Sequence, residues 1–175
     1  ELGLGIVFNG CIYNFRDLRT RLRALGYRFF SDGDTEVILK AWQVWGEDCV
    51  ARLHGMFAFA LWDANRRVLF LARDRFGIKP LYWSAGEDRL RFASNTQALL
   101  AAGGVDTAID PVALHFQYTL HAVIPAPRTI LQDIRKLEQQ DSVQLLWGET
   151  CSDSEAEQKR RRLEVSLRDY DTRVG

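Results

Sequence analysis

The chain has 175 residues, 47% of them hydrophobic and 26% charged, which is enough for one globular core and too little for two large ones. Lys plus Arg and Asp plus Glu number 23 each, so the summed field gives no reason to expect a nucleic acid or an anionic membrane as partner. Cys11, Cys49 and Cys151 stand at unrelated spacings. They imply no disulfide framework and no zinc ligand set, and they point to a reduced, cytoplasmic compartment. No apolar run approaches the about 20 residues of a membrane span. Residue 1 is glutamate and the only methionine is Met56, so the chain reads as a piece of something longer.

Leu4 to Phe8 and Cys11 to Tyr13 are rich in β-favouring residues. Asn9-Gly10 between them reads as the tight turn of a hairpin, because both residues tolerate positive φ. From Asn14 the pattern changes, with Leu18, Leu22 and Leu25 at helical spacing until Gly26 stops it. Tyr27 to Phe30 reads as a short aromatic strand. "SDGDTE" then supplies a turn and several N-cap candidates, Asp34 among them, for a helix from about Thr35 to Trp45. Gly46 ends that helix and Glu47 to Leu53 begins a shorter one, in which Val50 and Leu53 share a face with Cys49 and mark it as a packed thiol.

Met56 to Trp62 and Val68 to Ala72 flank a polar turn from Asp63 to Arg67 and form a second hairpin. Neither run alternates apolar with polar, so both faces of each strand are expected to be covered, while the short turn forces antiparallel pairing. The combination implies a layered sandwich. Strands at Leu81 to Ser84 and Arg89 to Ala93 are expected to continue the meander into one large sheet, and Asp74 to pair with Arg73, Arg75 or Lys79. Asn95 opens a helix through Leu100. Past Gly103-Gly104, Asp110 and Pro111 start a helix that Leu114 to Leu120 continue, and "VIPAPRTI" reads as an extended connector. Ser142 to Trp147 offers one more strand. Cys151 to Gly175, charged throughout and including Lys159 to Arg162, reads as a solvated helix or a disordered tail.

Few residues carry chemistry on their own. If the Asn9-Gly10 turn is open at a strand end, the Asn9 side-chain amide and the Gly10 N–H converge as an oxyanion hole, where each donor is worth a few kcal/mol. Cys11 beside them is a candidate nucleophile, but spacing ties none of His54, His115 and His121 to it as a base. Its plainer reading is a small apolar strand residue. Phosphate-cradling G-x-x-x-x-G-K and zinc-binding H-E-x-x-H motifs are absent.

"FNGCIYNFRDLR", "SDGDTEVILKAW", "LHGMFAFALWD" and "RDRFGIKPLYW", in this order and spacing, resemble the glutaminase domain of asparagine synthetase-like, class II glutamine amidotransferases over about Leu4 to Ser142. In finer detail "VFNGCIYN", "FFSDGDTEVILKA", "GGVDTAIDPVALH" and "HAVIPAPRTIL" are similar to the N-acetylglutaminylglutamine amidotransferase branch. The resemblance implies an α+β, N-terminal nucleophile (Ntn) hydrolase-like αββα four-layer sandwich with antiparallel sheets, incomplete at the N-terminus. It implies a partial glutaminase domain over 1–104, the end of that domain and the start of a connection to a synthetase domain over 105–150, and a divergent tail over 151–175.

The resemblance also assigns roles. Asn9 and Gly10 match the family's oxyanion donors, and Cys11 occupies a glutamine-contacting position where many relatives carry glutamate. Asp34 matches the carboxylate that holds the α-ammonium of glutamine, a reading that competes with its N-cap role. "RDRFGIKPLY" matches a structural strand and interface segment with no catalytic part. The family's nucleophile is an N-terminal cysteine whose own amine is the base. This cysteine, like the arginine that binds the glutamine carboxylate, would precede Glu1. Cys11 cannot replace it, because its amine lies in a peptide bond.

No S-G-G-x-D-S-type loop occurs, and "KLEQQD" at Lys136 to Asp141 replaces the family's "KLPPG". ATP and Mg2+ are therefore expected only for a synthetase domain outside this chain, and no cofactor within it. The expected function is that of a glutaminase-domain fragment with glutamine as its ligand, inactive as given. Alternatives are a non-catalytic glutamine-binding or protein-interaction remnant, and a Cys/His hydrolase using Cys11. Unpaired sheet edges are expected to promote self-association.

Overall fold

The computed structural model describes residues 3–86, 89–138, 141–149 and 161–169. The tail reading at 151–160 and 170–175, Cys151 included, lies outside them. A first antiparallel sheet is built from β1 (Leu4–Ile12), β2 (Gly55–Asp63), β3 (Val68–Arg73), β7 (Asp141–Glu149) and β8 (Arg161–Asp169), in the order β1-β2-β3-β7-β8. A second sheet has the order β5-β4-β6, from β4 (Tyr82–Ala85), β5 (Leu90–Ala93) and β6 (Arg135–Lys136). Helices α1 (Phe15–Ala24) and α2 (Asp34–Trp45), with a 3-10 helix over Gly46–Arg52, cover one face of the first sheet. Among the described residues no helix is long and apolar enough to cross a membrane.

The run "MFAFALW" explains why two layers meet on one strand. Its alternation is in size rather than polarity. Phe57, Phe59 and Leu61 pack into the helix-side core with Trp42, Ile38, Leu22 and Phe70, where Trp42 and Phe70 lie 4.8 Å apart between ring centroids. The intervening Ala58 and Ala60 pack with Leu71, Leu81, Trp83 and Leu137, the core between the two sheets. Large side chains fill the helix interface and small ones let the sheets approach. The β2–β3 turn is fixed by Asp63, a buried carboxylate that accepts from Trp42 Nε1 at 2.9 Å and from the amides of Asn65 and Arg66.

Five expectations are corrected. Asn9-Gly10 is not a turn, because β1 runs unbroken from Leu4 to Ile12 and pairs with β2 throughout, from Leu4↔Asp63 to Ile12↔Gly55. Tyr27 to Phe30 forms no strand: Tyr27 N bonds back to the Leu22 carbonyl and Phe30 N to the Glu36 carboxylate, with no ladder between. The strands at β4 and β5 do not extend the first sheet.

The chain is turned into a second layer by Arg73 and Asp74. Asp74, fully buried, accepts the amides of Phe57, Phe76, Ile78 and Lys79 at 2.9–3.2 Å. Arg73 donates to the carbonyls of Lys79 and Leu137 at 2.6 and 2.8 Å, and to that of Gly77. Asp74 therefore spends its hydrogen bonds on backbone, not on the cations expected beside it. In the tail, Arg161–Asp169 is strand rather than helix or coil, in register with β7 from Asp141↔Asp169 to Glu149↔Arg161. The period-2 spacing of Leu163, Val165 and Leu167 is the overlooked signal.

Other elements follow the sequence closely. Asn95 caps α3 (Thr96–Ala101) by accepting from Ala98 N at 2.8 Å. Asp110 caps α4 (Pro111–Thr119) through Val112 N and Ala113 N and is paired with Arg128. Cys49 is fully buried, and burial first, then the charges of Asp48 and Glu47, push its thiol up to about 12. That is a packed, inert sulfur.

The β1–β2 contact is closest where glycines meet it. A Cβ on Gly55 would stand 2.2 Å from the Cys11 carbonyl oxygen and 3.0 Å from Ile12 Cα, whereas one on Gly5 would meet nothing within 4 Å. Gly55→Ala is expected to lower stability by about 1–3 kcal/mol, the usual range for overpacking against backbone. Gly5→Ala is expected to stay within about 0.5 kcal/mol. Urea midpoints of the two variants check the contrast.

Candidate functional site

The phase of the β1–β2 ladder decides what β1 shows to its surroundings. Tyr13 N bonds to the His54 carbonyl and Ala64 N to the Gly3 carbonyl, and the register between them is continuous. Odd-numbered residues of β1 therefore exchange hydrogen bonds with β2, and even-numbered ones turn their N–H and C=O to the outer edge. β1 is the edge of its sheet, so the N–H groups of Gly10 and Ile12 point along the same free edge, about 7 Å apart.

One of them has a partner. Asp34, the first residue of α2, accepts from Ile12 N through Oδ2 at 3.0 Å. Gly33, with extended backbone, is the N-cap of α2, and no side chain caps that helix. The N-cap reading of Asp34 thus gives way: the carboxylate reaches across to β1 through Oδ2. A carboxylate at a helix N-terminus also sits in the favourable field of the helix dipole.

The other sequence candidates are close by. Gly10 must be glycine, since a Cβ there would come within 2.2 Å of the Met56 carbonyl oxygen and 2.7 Å of Phe57 Cα. Leu4, Ile6, Phe8 and Ile12 pack with the helix-side core, so by strand alternation Asn9 and Cys11 project from the opposite face. Both are exposed. Cys11 is thus a strand residue but not a packed one. The fold gathers Asn9, Gly10, Cys11 and Asp34 at one end of β1, with Asp34 arriving from the helix layer. His115 and His121 belong to the α4 region, and the nearest histidine to the strand end is His54, whose backbone is tied to Tyr13 and to Asn14 Oδ1.

A cavity of about 440 Å³ lies just past this strand end, bounded by Tyr13, His54, Gly55, Phe57, Arg73 and Phe76 among others. None of Asn9, Gly10, Cys11 and Asp34 lines it. The edge of β1, not this cavity, is where the candidate groups converge. Among the described residues no group of His, Cys, Asp and Glu side chains gathers as metal ligands do.

Two residues that the sequence reading passed over bond the segment just before Asp34. Arg19 of α1 reaches Asp32 and the Gly33 carbonyl, and Glu36 of α2 accepts from Phe30 N, Ser31 N and Ser31 Oγ at 2.7–3.2 Å. Together they clamp the segment that enters α2. The signal for Glu36 is a carboxylate one helical step into "SDGDTE", where it can reach back to amides before the helix. Arg19 carries no such local mark.

A family model described as a glutamine amidotransferase domain matches residues 1–154. The chain belongs to that family. This glutamine amidotransferase domain is 44% identical over 133 residues to asparagine synthetase (glutamine-hydrolyzing) 1 of Bacillus subtilis. It is 47% identical over 137 residues to a putative asparagine synthetase (glutamine-hydrolyzing) of Mycobacterium tuberculosis. Each match covers 76% of this chain and 21% of the relative, so the chain spans about a fifth of the length of the curated relatives it matches. Among solved structures it is similar in fold to the glutamine phosphoribosylpyrophosphate amidotransferase of Bacillus subtilis, with a TM-score of 0.54 at 19% identity over 81% of this chain and 26% of that one. The α+β, Ntn hydrolase-like fold with antiparallel sheets is thereby established for this domain.

Glu36 provides a pH handle on the clamp. Burial by itself would raise its carboxyl, but the bonds from Ser31 and Phe30 and the charge of Lys40 outweigh that and hold it below its ordinary 4.5. A carboxylate depressed on folding contributes stability that is present above its unfolded value and lost as pH falls through its folded one. Glu36→Gln is therefore expected to be less stable than the parent near neutral pH, with the gap closing below about pH 4. Urea titrations at both ends of that range check it.

Proposed function

We propose that this domain is the glutamine-hydrolysing part of an asparagine synthetase-like amidotransferase, the whole of which passes ammonia from glutamine to an ATP-activated carboxylate. One observation carries the reading: the Asp34 carboxylate is bonded to Ile12 N, and the Gly10 N–H points along the same free strand edge about 7 Å from that of Ile12. Glutamine is roughly 5 Å long from its ammonium nitrogen to its side-chain amide carbon, at about 1.5 Å per bond along a bent chain. With its α-ammonium on Asp34 Oδ1, its amide carbonyl reaches the Gly10 N–H and the Asn9 side-chain amide. There an oxyanion formed by nucleophilic attack is stabilised by two donors. Cys11 stands beside that carbon as a contact residue.

Cys11, Cys49 and Cys151 all have their amines in peptide bonds, so none pairs a thiol with a free α-amino base. ATP and Mg2+ belong, on this reading, to a synthetase domain, for which no residue of this chain is assigned. α3 beside β4 and β5 supports a helix layer over the second sheet, in keeping with the four-layer αββα arrangement. The spelling of "VFNGCIYN" and "HAVIPAPRTIL" supports a place near the N-acetylglutaminylglutamine branch. The free outer edge of β1 supports self-association by strand pairing.

A polypeptide of this sequence is expected to release ammonia from glutamine only at background rate. Turnover that Cys11→Ala abolishes would overturn the assignment of roles. Calorimetric titration with glutamine at millimolar concentration is expected to give heat that Asp34→Ala removes. No heat from the parent chain leaves a structural fragment without a glutamine site. In light scattering, mass is expected to rise with concentration, and a strictly monodisperse monomer counts against pairing at β1.

A further inference from the structure

The least economical residue of the fold is Arg19. Its side chain is only 9% exposed, sandwiched by Phe15 and Phe29, whose ring centroids lie 5.8 and 5.0 Å from Cζ. Its Nε is buried with no hydrogen-bond partner among the described residues. For filling space between two aromatic rings, a leucine or methionine would serve without the desolvation penalty of a buried guanidinium. The charge is accounted for by what its two arms hold: Nη1 meets Asp32 Oδ1 at 3.0 Å and Nη2 meets the Gly33 carbonyl at 2.8 Å.

Those partners are the two residues immediately before Asp34. Asp32 is fully exposed, so the ion pair alone contributes little. The bond to Gly33 is different in kind, because Gly33 is the N-cap whose backbone sets where α2 begins. From the other side Glu36 holds Phe30 and Ser31. The entry to α2 is thus pinned at four consecutive residues by one cation and one anion, and Asp34 is the first side chain that this entry delivers to β1.

We infer that Arg19 is a positioning residue for Asp34. Resting on the glutamine-site reading above, it sets the carboxylate on the free edge of β1 at the distance that an α-ammonium needs. Arg19 makes its hydrogen bonds to Asp32 and Gly33 rather than to Asp34. Its influence passes through the Gly33 carbonyl to the start of α2, and from there to the bond between Asp34 Oδ2 and Ile12 N. A carboxylate held by the Ile12 amide stays at the strand edge. One that has lost its helix register turns to cap its own helix instead.

Nuclear magnetic resonance on the 175-residue chain tests this without relying on turnover. The Ile12 amide proton, bonded to the Asp34 carboxylate, is expected at low field. In Arg19→Ala, hydrogen-exchange protection of Ile12 is expected to fall roughly tenfold more than that of Phe59 and Phe70, the scale of one lost charge-assisted hydrogen bond. Arg16→Ala, which removes an exposed arginine that stacks on Phe15, is expected to leave Ile12 unchanged.

Arg19→Lys, which keeps the charge but not the two-armed grip, is expected to give an intermediate Ile12 signature, and it carries the test if Arg19→Ala does not fold. Equal loss of protection at Ile12, Phe59 and Phe70 overturns the inference in favour of a general packing role. So does an Ile12 signal in Arg19→Lys that matches the parent. Addition of glutamine separates the two proposals. If Ile12 answers to Arg19 but not to glutamine, the positioning stands and the glutamine site falls. If Ile12 answers to glutamine equally in the parent and Arg19→Lys, the reverse holds.

Discussion

The hydrogen bond from Ile12 N to Asp34 Oδ2 joins the edge of a sheet to the beginning of a helix, and the geometry of the candidate site depends on it. An edge strand carries a row of unanswered N–H groups. A helix begins with four of its own. Asp34 has the chemistry to satisfy either, and the packing of α2 on the first sheet commits it to β1. The same commitment brings the Asp34 carboxylate to the edge along which the Gly10 N–H points.

That edge is available because glycine is used where strands crowd. Gly10 and Gly55 face the backbone of the neighbouring strand at distances no Cβ tolerates. They sit in non-hydrogen-bonded pairs of the ladder, Gly10↔Phe57 and Ile12↔Gly55, where side chains of an antiparallel pair come closest. β1 and β2 thus draw together just where Asn9, Gly10 and Cys11 lie. Glycine here serves close approach rather than a turn, which is why the local signal of Asn9-Gly10 pointed to a hairpin that the fold does not contain.

Acidic side chains in this domain are directed at backbone more than at cations. Asp34 takes Ile12, Glu36 takes Phe30 and Ser31, Asp63 takes Asn65 and Arg66, Asp74 takes four amides, and Asp110 takes Val112 and Ala113. A buried carboxylate is stabilised by converging N–H groups as well as by a charge, without immobilising a long basic side chain. Each such contact fixes a chain reversal or a helix start, and the Asp74 contact, with Arg73 opposite it, folds the segment that separates the two sheets. Charges adjacent in sequence therefore say little about who pairs with whom.

Much of the fold was legible along the chain. Helical leucine spacing marked α1, Asn95 and Asp110-Pro111 marked α3 and α4, and the unbroken apolar runs at β2 and β3 announced strands covered on both faces. The four ordered motifs named the family before any coordinates did. These signals are local, arising from neighbours within a few residues, and a sequence states them directly. What only the tertiary structure decided was the continuity of β1, the assignment of β4 and β5 to a second sheet, the strand at Arg161–Asp169, and the release of Asp34 from capping its own helix. Each of these is a choice between two satisfactory local arrangements, and it is made by a partner well beyond the local chain, 12 residues away for Glu149 and Arg161, 17 for Phe57 and Asp74 and 22 for Ile12 and Asp34. Local preference leaves such a choice open, because the free energy that settles it comes from burying surfaces the intervening chain must first bring together.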